Sequence, residues 1–252
     1  MKKIFKNPLV FLALGLVALG LSTIGATRAA INIKTAEQRI NFSTATFSVD
    51  IQEMIDEKYS SVENNTLKLP AFEKYIDDDG KEQFKDIQIG KKYGEFVQIA
   101  NNSNPETGYP EYIRVVVRKS WNKDRVKQTF LNPDLIVLDV NEELWYRNPA
   151  ESTFEQEVYY RKTPLNCGET AELIRGIQIN DSVTTVVSKK EVEGTIETEY
   201  VYNGESALIE IEADAVQTNN CVAAIQGAWG IEVTCSADDN GDILTINGNP
   251  VN

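Results

Sequence analysis

An antiparallel β-sandwich, of jelly-roll or Ig-like type with one or two short helices, is the mainly-β fold that the sequence predicts. Three observations predict it. Short runs alternate apolar and polar residues, the period of a half-buried strand. Clusters of Asn, Gly, Pro and Asp separate those runs. One stretch only, 219–230, reads as a helix, so strands do not alternate with helices as they would around a parallel sheet. The expected organisation is a signal peptide over 1–30, an N-terminal tail over 31–45, and a single sandwich domain over 46–252. A charged insertion around 54–94 interrupts that domain.

The first element is a leader. Lys2, Lys3 and Lys6 precede an unbroken apolar or glycine run from Leu9 to Leu21, and small residues follow at Ser22, Thr23, Gly25, Ala26, Ala29 and Ala30. That is the layout of a secretory signal peptide. The run is shorter than the ~18 residues of a spanning helix, although extending it through Ala26 reaches that length, and an uncleaved anchor is the alternative. Cleavage after Ala29 or Ala30 is unusual for a standard peptidase, because it puts Thr27 or the bulky Arg28 at the third position back.

A polar tail, Ile31–Ala45, leads into TFSVDIQ, where Phe47, Val49 and Ile51 share a face. Residues 54–94, with IDDDGK and IGKKYG, read as a long insertion or a marginal hairpin. In EYIRVVVRKSW, Ile113, Val115 and Val117 point one way, with Tyr112, Arg114, Val116 and Arg118 opposite. LIVLDV (135–140), FEQEVYYRK (154–162), ELIRGIQI (172–179) and TIETEYVY (195–202) repeat the alternation. In ALIEIEADAV (207–216), Ala207, Ile209, Ile211, Ala213 and Ala215 point inward, while Glu210, Glu212 and Asp214 point out. Turns fall at Asn101–Pro105, Asn132–Pro133, Pro164–Gly168, Asn203–Gly204 and Asp239–Gly241. NNCVAAIQGAWG (219–230) is the helix, with Asn219 or Asn220 as cap and Gly227 or Gly230 as stop.

Three parts of this chain carry a resemblance. Gly25, Thr27, Ala29 and Ala30, followed by a polar tail and F-S-V-D-I, form the first. Asn101-Asn102-Ser103 followed by a strand is the second. A-D-A-V-Q-T-N-N (Ala213–Asn220) leading to A-W-G (Ala228–Gly230) is the third. Together they resemble the TasA/camelysin (CalY) family of SipW-dependent exported biofilm-matrix proteins of Gram-positive bacteria. The resemblance implies a SipW-type signal peptidase as partner, cleavage after Ala30 and a mature start at Ile31. It also implies an extracellular matrix or cell-surface location and self-association into fibres. In that reading the freed tail is a donor strand, with Ile31, Ile33, Ile40 and Phe42 filling pockets of a neighbouring molecule.

Composition excludes several function classes. The chain carries 25 basic and 38 acidic residues, a formal charge of −13; cleavage after Ala30 removes four basic residues and no acid, which takes it to −17. Such a surface repels nucleic acid and anionic lipid, so neither is an expected partner, the membrane being met only through the leader. No histidine is present, which removes HExxH zinc sites and the His-dependent nucleophile systems. Ser120-Trp121-Asn122-Lys123 spells S-x-x-K, yet its serine lies on a strand rather than at a helix start, and no S-D-N or K-T-G accompanies it. No catalytic residue is expected.

Calcium is the one cofactor left open, at Asp238, Asn240 and Asp242 around Gly241. That loop has Ser236 and Asn247 where the motif needs Asp and a bidentate Glu, and an Asn-Gly hairpin turn explains the same residues. Three cysteines are too few for a disulfide scaffold; Cys221 and Cys235 either staple the helix to the following strand or, with Cys167, are buried thiols. Three functional readings follow. The first is a non-enzymatic structural subunit of an extracellular fibre or matrix. The second is a monomeric cell-surface binding or adhesion module, and the third a camelysin-like peptidase.

Overall fold

The computed structural model describes residues 48–70, 74–76, 82–84, 88–192, 195–236 and 241–251. All of them belong to one of two units into which the chain divides, 46–252. The leader, the cleavage residues Ala29, Ala30 and Ile31, and the donor residues Ile31, Ile33, Ile40 and Phe42 lie outside the described residues.

Among the described residues the fold is mainly β, built from several antiparallel sheets and one α-helix. In chain order the strands are β1 (Val49–Ile55), β2 (Lys58–Ser61), β3 (Lys74–Ile76), β4 (Glu82–Phe84), β5 (Lys92–Tyr93) and β6 (Val97–Asn101). Then come β7 (Glu111–Lys123), β8 (Val126–Lys127), β9 (Ile136–Val140), β10 (Trp145–Arg147), β11 (Gln156–Arg161) and β12 (Thr170–Ile179). The last third holds β13 (Val187–Val192), β14 (Thr195–Tyr200), β15 (Ser206–Gln217), helix α1 (Cys221–Trp229), β16 (Val233–Cys235), β17 (Ile243–Ile246) and β18 (Asn249–Pro250).

Two sheets face each other. The first runs β2-β1-β6-β12, with β5 continuing the β6 edge of β12 and β9 on the other edge. The second runs β10-β11-β7-β15, with β8 folding back on the end of β7. β3–β4 and β13–β14 are separate hairpins.

The core between the sheets follows the sequence alternation. Val97, Ile99, Leu173 and Ile177 of the first sheet meet Ile113, Val115, Val117, Trp121, Ile209 and Ile211 of the second. The tryptophans and the EVYYRK tyrosines are packing residues: Trp121, Trp145, Tyr159 and Tyr160 are buried and Trp229 is half-buried.

A second core lies on the far side of the second sheet. There Tyr112, Val116, Val158 and Tyr160 are covered by Cys221 and Ile225 of α1 and by Ile231, Val233, Ile243, Ile246 and Val251 of the C-terminal hairpin. β7 is therefore buried on both faces. Arg114, on this covered face, donates to Asp214 from Nε at 3.1 Å and lies over the Trp229 ring, 5.7 Å from its centroid. Burial opposes its charge, yet Asp214 holds the guanidinium pKa above its ordinary value.

Asn220 occupies the position before α1 in a left-handed conformation and its side chain makes no capping bond. Gly230, at φ +71°, closes the helix by donating its N–H to the Gln226 carbonyl, as a C-terminal glycine commonly does. The charged stretch 54–94 is only in part an insertion: β1 runs on to Ile55, β2 pairs with it, and Leu67 and Leu69 are core residues.

Candidate functional site

β15 forms one border of its sheet. Its register with β7 runs from Ser206↔Asn122 to Gln217↔Glu111. On the opposite edge, the Ile209 carbonyl accepts the Leu67 N–H at 3.0 Å, and Thr66 bridges Glu210. Backbone groups in a strand alternate between its two edges. The N–H and C=O groups of Ala213, Ala215 and Gln217 therefore point to the same outer edge as those of Ile209. Among the described residues, no strand pairs with β15 there beyond the Thr66 bridge.

The covering of the upper part of this edge is a strap, residues 62–69. Glu53 of β1 anchors it: its buried carboxylate accepts the N–H of Lys68 at 2.9 Å and of Leu69 at 2.8 Å. Asn64, Asn65 and Leu69 all have positive φ in this strap, where non-glycine residues are uncommon. The strap thus closes the side of the sandwich between β1 and β15 at Glu53 and Ile209.

Below the strap, among the described residues, no strand pairs with either β15 or β1 across that side. β1 and β15 approach within 8 Å between Cα atoms, and Val49, Ile51, Ala213 and Ala215 pack against the core while remaining only half-buried. The small alanine side chains leave an apolar floor beside the unpaired backbone. Ser48, where the described chain enters the domain, stands at this same end. Its carbonyl accepts the Asn102 N–H at 2.7 Å, and its backbone N–H favours the charged form of nearby Glu111, the residue paired with Gln217.

Glu111 is fully buried and Oε1 accepts the Ser103 hydroxyl at 3.1 Å. Burial raises its pKa above the usual carboxylate value, while the hydrogen bonds from Ser103 and Ser48 pull the other way. Tyr160 is held as a neutral phenol by burial first and by its hydrogen bond to Glu151 second.

The other residues marked in the sequence fall as follows. Cys221 and Cys235 form a disulfide, with Cα atoms 6.6 Å apart, joining α1 to β16; Cys167 is a free, half-buried thiol. Ser120 lies within β7 and its hydroxyl donates to Asn122, so the S-x-x-K match has strand geometry. Asp238 and Asn240 lie outside the described residues. Asp242 contributes to the field around Arg161, and no group of three or more metal-ligating side chains occurs among the described residues. Among the described residues no helix is long and apolar enough to cross a membrane.

The edge, its strap and Glu53 were not marked in the sequence as a site. One signal was available: Glu53 has the parity of Phe47, Val49 and Ile51, so a carboxylate falls on the apolar face of its strand.

Comparison of the chain with known protein families, with curated proteins and with solved structures finds no match.

Proposed function

We propose that this protein is a secreted structural subunit of an extracellular fibre or biofilm matrix, assembled by strand addition. The observation that carries the reading is the outer edge of β15 from Ala213 to Gln217, unpaired among the described residues and floored by half-buried Val49, Ile51, Ala213 and Ala215. An extended segment laid there gains main-chain hydrogen bonds and inserts alternate side chains into the apolar floor. The mature tail supplies such a segment, with Ile31 and Ile33, then Ile40 and Phe42, at strand spacing. Soluble monomers normally protect an open edge; a tail from one molecule on the edge of the next is a head-to-tail contact that propagates as a filament. The resemblance of the leader to SipW-dependent exported proteins supports the same reading.

The test compares a chain beginning at Ile31 with one beginning at Ser43 by negative-stain electron microscopy across a concentration series. Fibres from the longer chain alone are expected. Ala215→Pro in the longer chain should abolish them and leave the fold intact, because it removes an N–H that faces the outer edge rather than β7. Monodisperse particles from the longer chain at every concentration would defeat strand exchange and leave the surface-binding reading.

A further inference from the structure

A cavity of about 270 Å³ opens at the Trp121–Ala207 end of the β7–β15 pair, lined by Leu67, Leu69, Trp121, Tyr202, Glu205 and Ala207 among others. Apart from Lys68, Glu205 and Ser206, its walls are apolar and aromatic. The Trp121 and Tyr202 rings meet edge to face, 5.1 Å between centroids. Their polar tips are engaged with Asn132: the indole N–H donates to its carbonyl at 2.9 Å, and its N–H donates to the Tyr202 hydroxyl oxygen at 3.0 Å. What the pair offers to the cavity is therefore ring surface, which attracts cations as well as hydrocarbon.

Two charged residues break this lining, Lys68, which is exposed, and Glu205, which is not. The Glu205 side chain is only 3% exposed, and its Oε2 is buried without a hydrogen-bond partner. The cation beside it, Lys123 Nζ, stands 3.7 Å from Oε1, too far for a hydrogen bond. That ammonium is half-exposed and donates to the Asn203 carbonyl at 3.4 Å. A buried carboxylate oxygen left unsatisfied is costly, and a donor with positive charge recovers the most.

We propose that this cavity binds a small protonated amine with a compact apolar body. The ammonium hydrogen-bonds Glu205 Oε2, and the body packs on Trp121, Tyr202, Leu67 and Leu69. The volume is near the lower end of the ~300–1,000 Å³ of small-molecule sites, so the body is about one ring or a short branched chain. The site lies away from the lower outer edge of β15, and the inference stands apart from fibre assembly.

The experiment is calorimetric titration of the full chain with phenethylammonium and, separately, with 2-phenylethanol, which keeps the ring but carries no charge. The amine is expected to bind saturably at one site, at least about tenfold more tightly than the alcohol. Glu205→Gln should remove that preference. Lys123→Met, at an exposed position, should tighten the amine by removing its competitor for the carboxylate. Equal affinity for the two probes, a preference that survives Glu205→Gln, loss of amine binding in Lys123→Met, or no saturable binding by the wild type would each overturn the proposal.

Discussion

Glu53 holds two backbone amides of the strap with one buried carboxylate, so a single side chain decides whether 62–69 stays on the sandwich. Glu53→Ala leaves both N–H groups without their acceptor and should lower stability by about 3 kcal/mol in urea unfolding. Glu53→Gln, which keeps one oxygen acceptor, should lose less. Glu111 makes the complementary case through pH. Its raised pKa means that the folded chain holds this proton more firmly than the unfolded chain does. Its contribution to stability is therefore at its best below the unfolded value and declines as pH rises through the folded one. The stability of Glu111→Gln, which does not titrate, should gain on the wild type as pH rises above the ordinary carboxylate range; parallel curves would remove Glu111 as the titrating group. Glu53, Glu111 and Lys119 share a lesson about reading residues. Each has the parity of apolar neighbours on its strand, and each is buried, Lys119 with Glu157 at 3.3 Å. A charge on the apolar face was visible in the sequence, but its partner was not, because Lys68, Leu69, Ser103 and Glu157 come from other elements.

Strands were readable because alternation reports one face of contact. β7, β11, β12 and β15 fall where the pattern put them, as does α1 between Asn220 and Gly230. The second core was not readable. Tyr112, Val116 and Val158 interrupt the polar face of their strands, and nothing local says that α1 and β16–β18 return to cover them. The same distance problem hid the strap, since Leu67 and Leu69 sit in a charged stretch and gain meaning only beside Ile209. The disulfide ties this second layer together. Cys221 and Cys235 are 14 residues apart, and opening a loop of that size removes a constraint worth about 3 kcal/mol in the unfolded chain. Cys221→Ser with Cys235→Ser should lower the thermal midpoint and increase hydrogen exchange first in α1 and β16, with the core between the two sheets last to respond.

Across the whole molecule, charge would oppose the proposed strand addition at the outer edge of β15. Cleavage after Ala30 would leave each subunit at −17, from the full chain's −13 and the four basic residues removed, so neighbouring subunits in a fibre repel one another. Salt shortens the reach of that repulsion from about 30 Å at 0.01 M to about 8 Å at 0.15 M. Fibre assembly of the chain beginning at Ile31 should accordingly accelerate with ionic strength, read by light scattering at fixed protein concentration. Slower assembly at higher salt would mean that attraction between charges, not strand pairing, brings the subunits together.

The doubly covered strand also sets an order in time. β7 ends at Lys123, but its longest partner, β15, ends only at Gln217. At a synthesis rate of about 5–20 residues per second, roughly 5–20 seconds separate the two. During that interval β8 can fold back on the end of β7, and β11 is the first long neighbour that can pair with it, along Arg114–Arg118. One face of β7 can meet Val97 and Ile99, already made, but the face carrying Tyr112 and Val116 waits for α1 and the C-terminal strands, so the chain stays unfinished until nearly all of it has emerged.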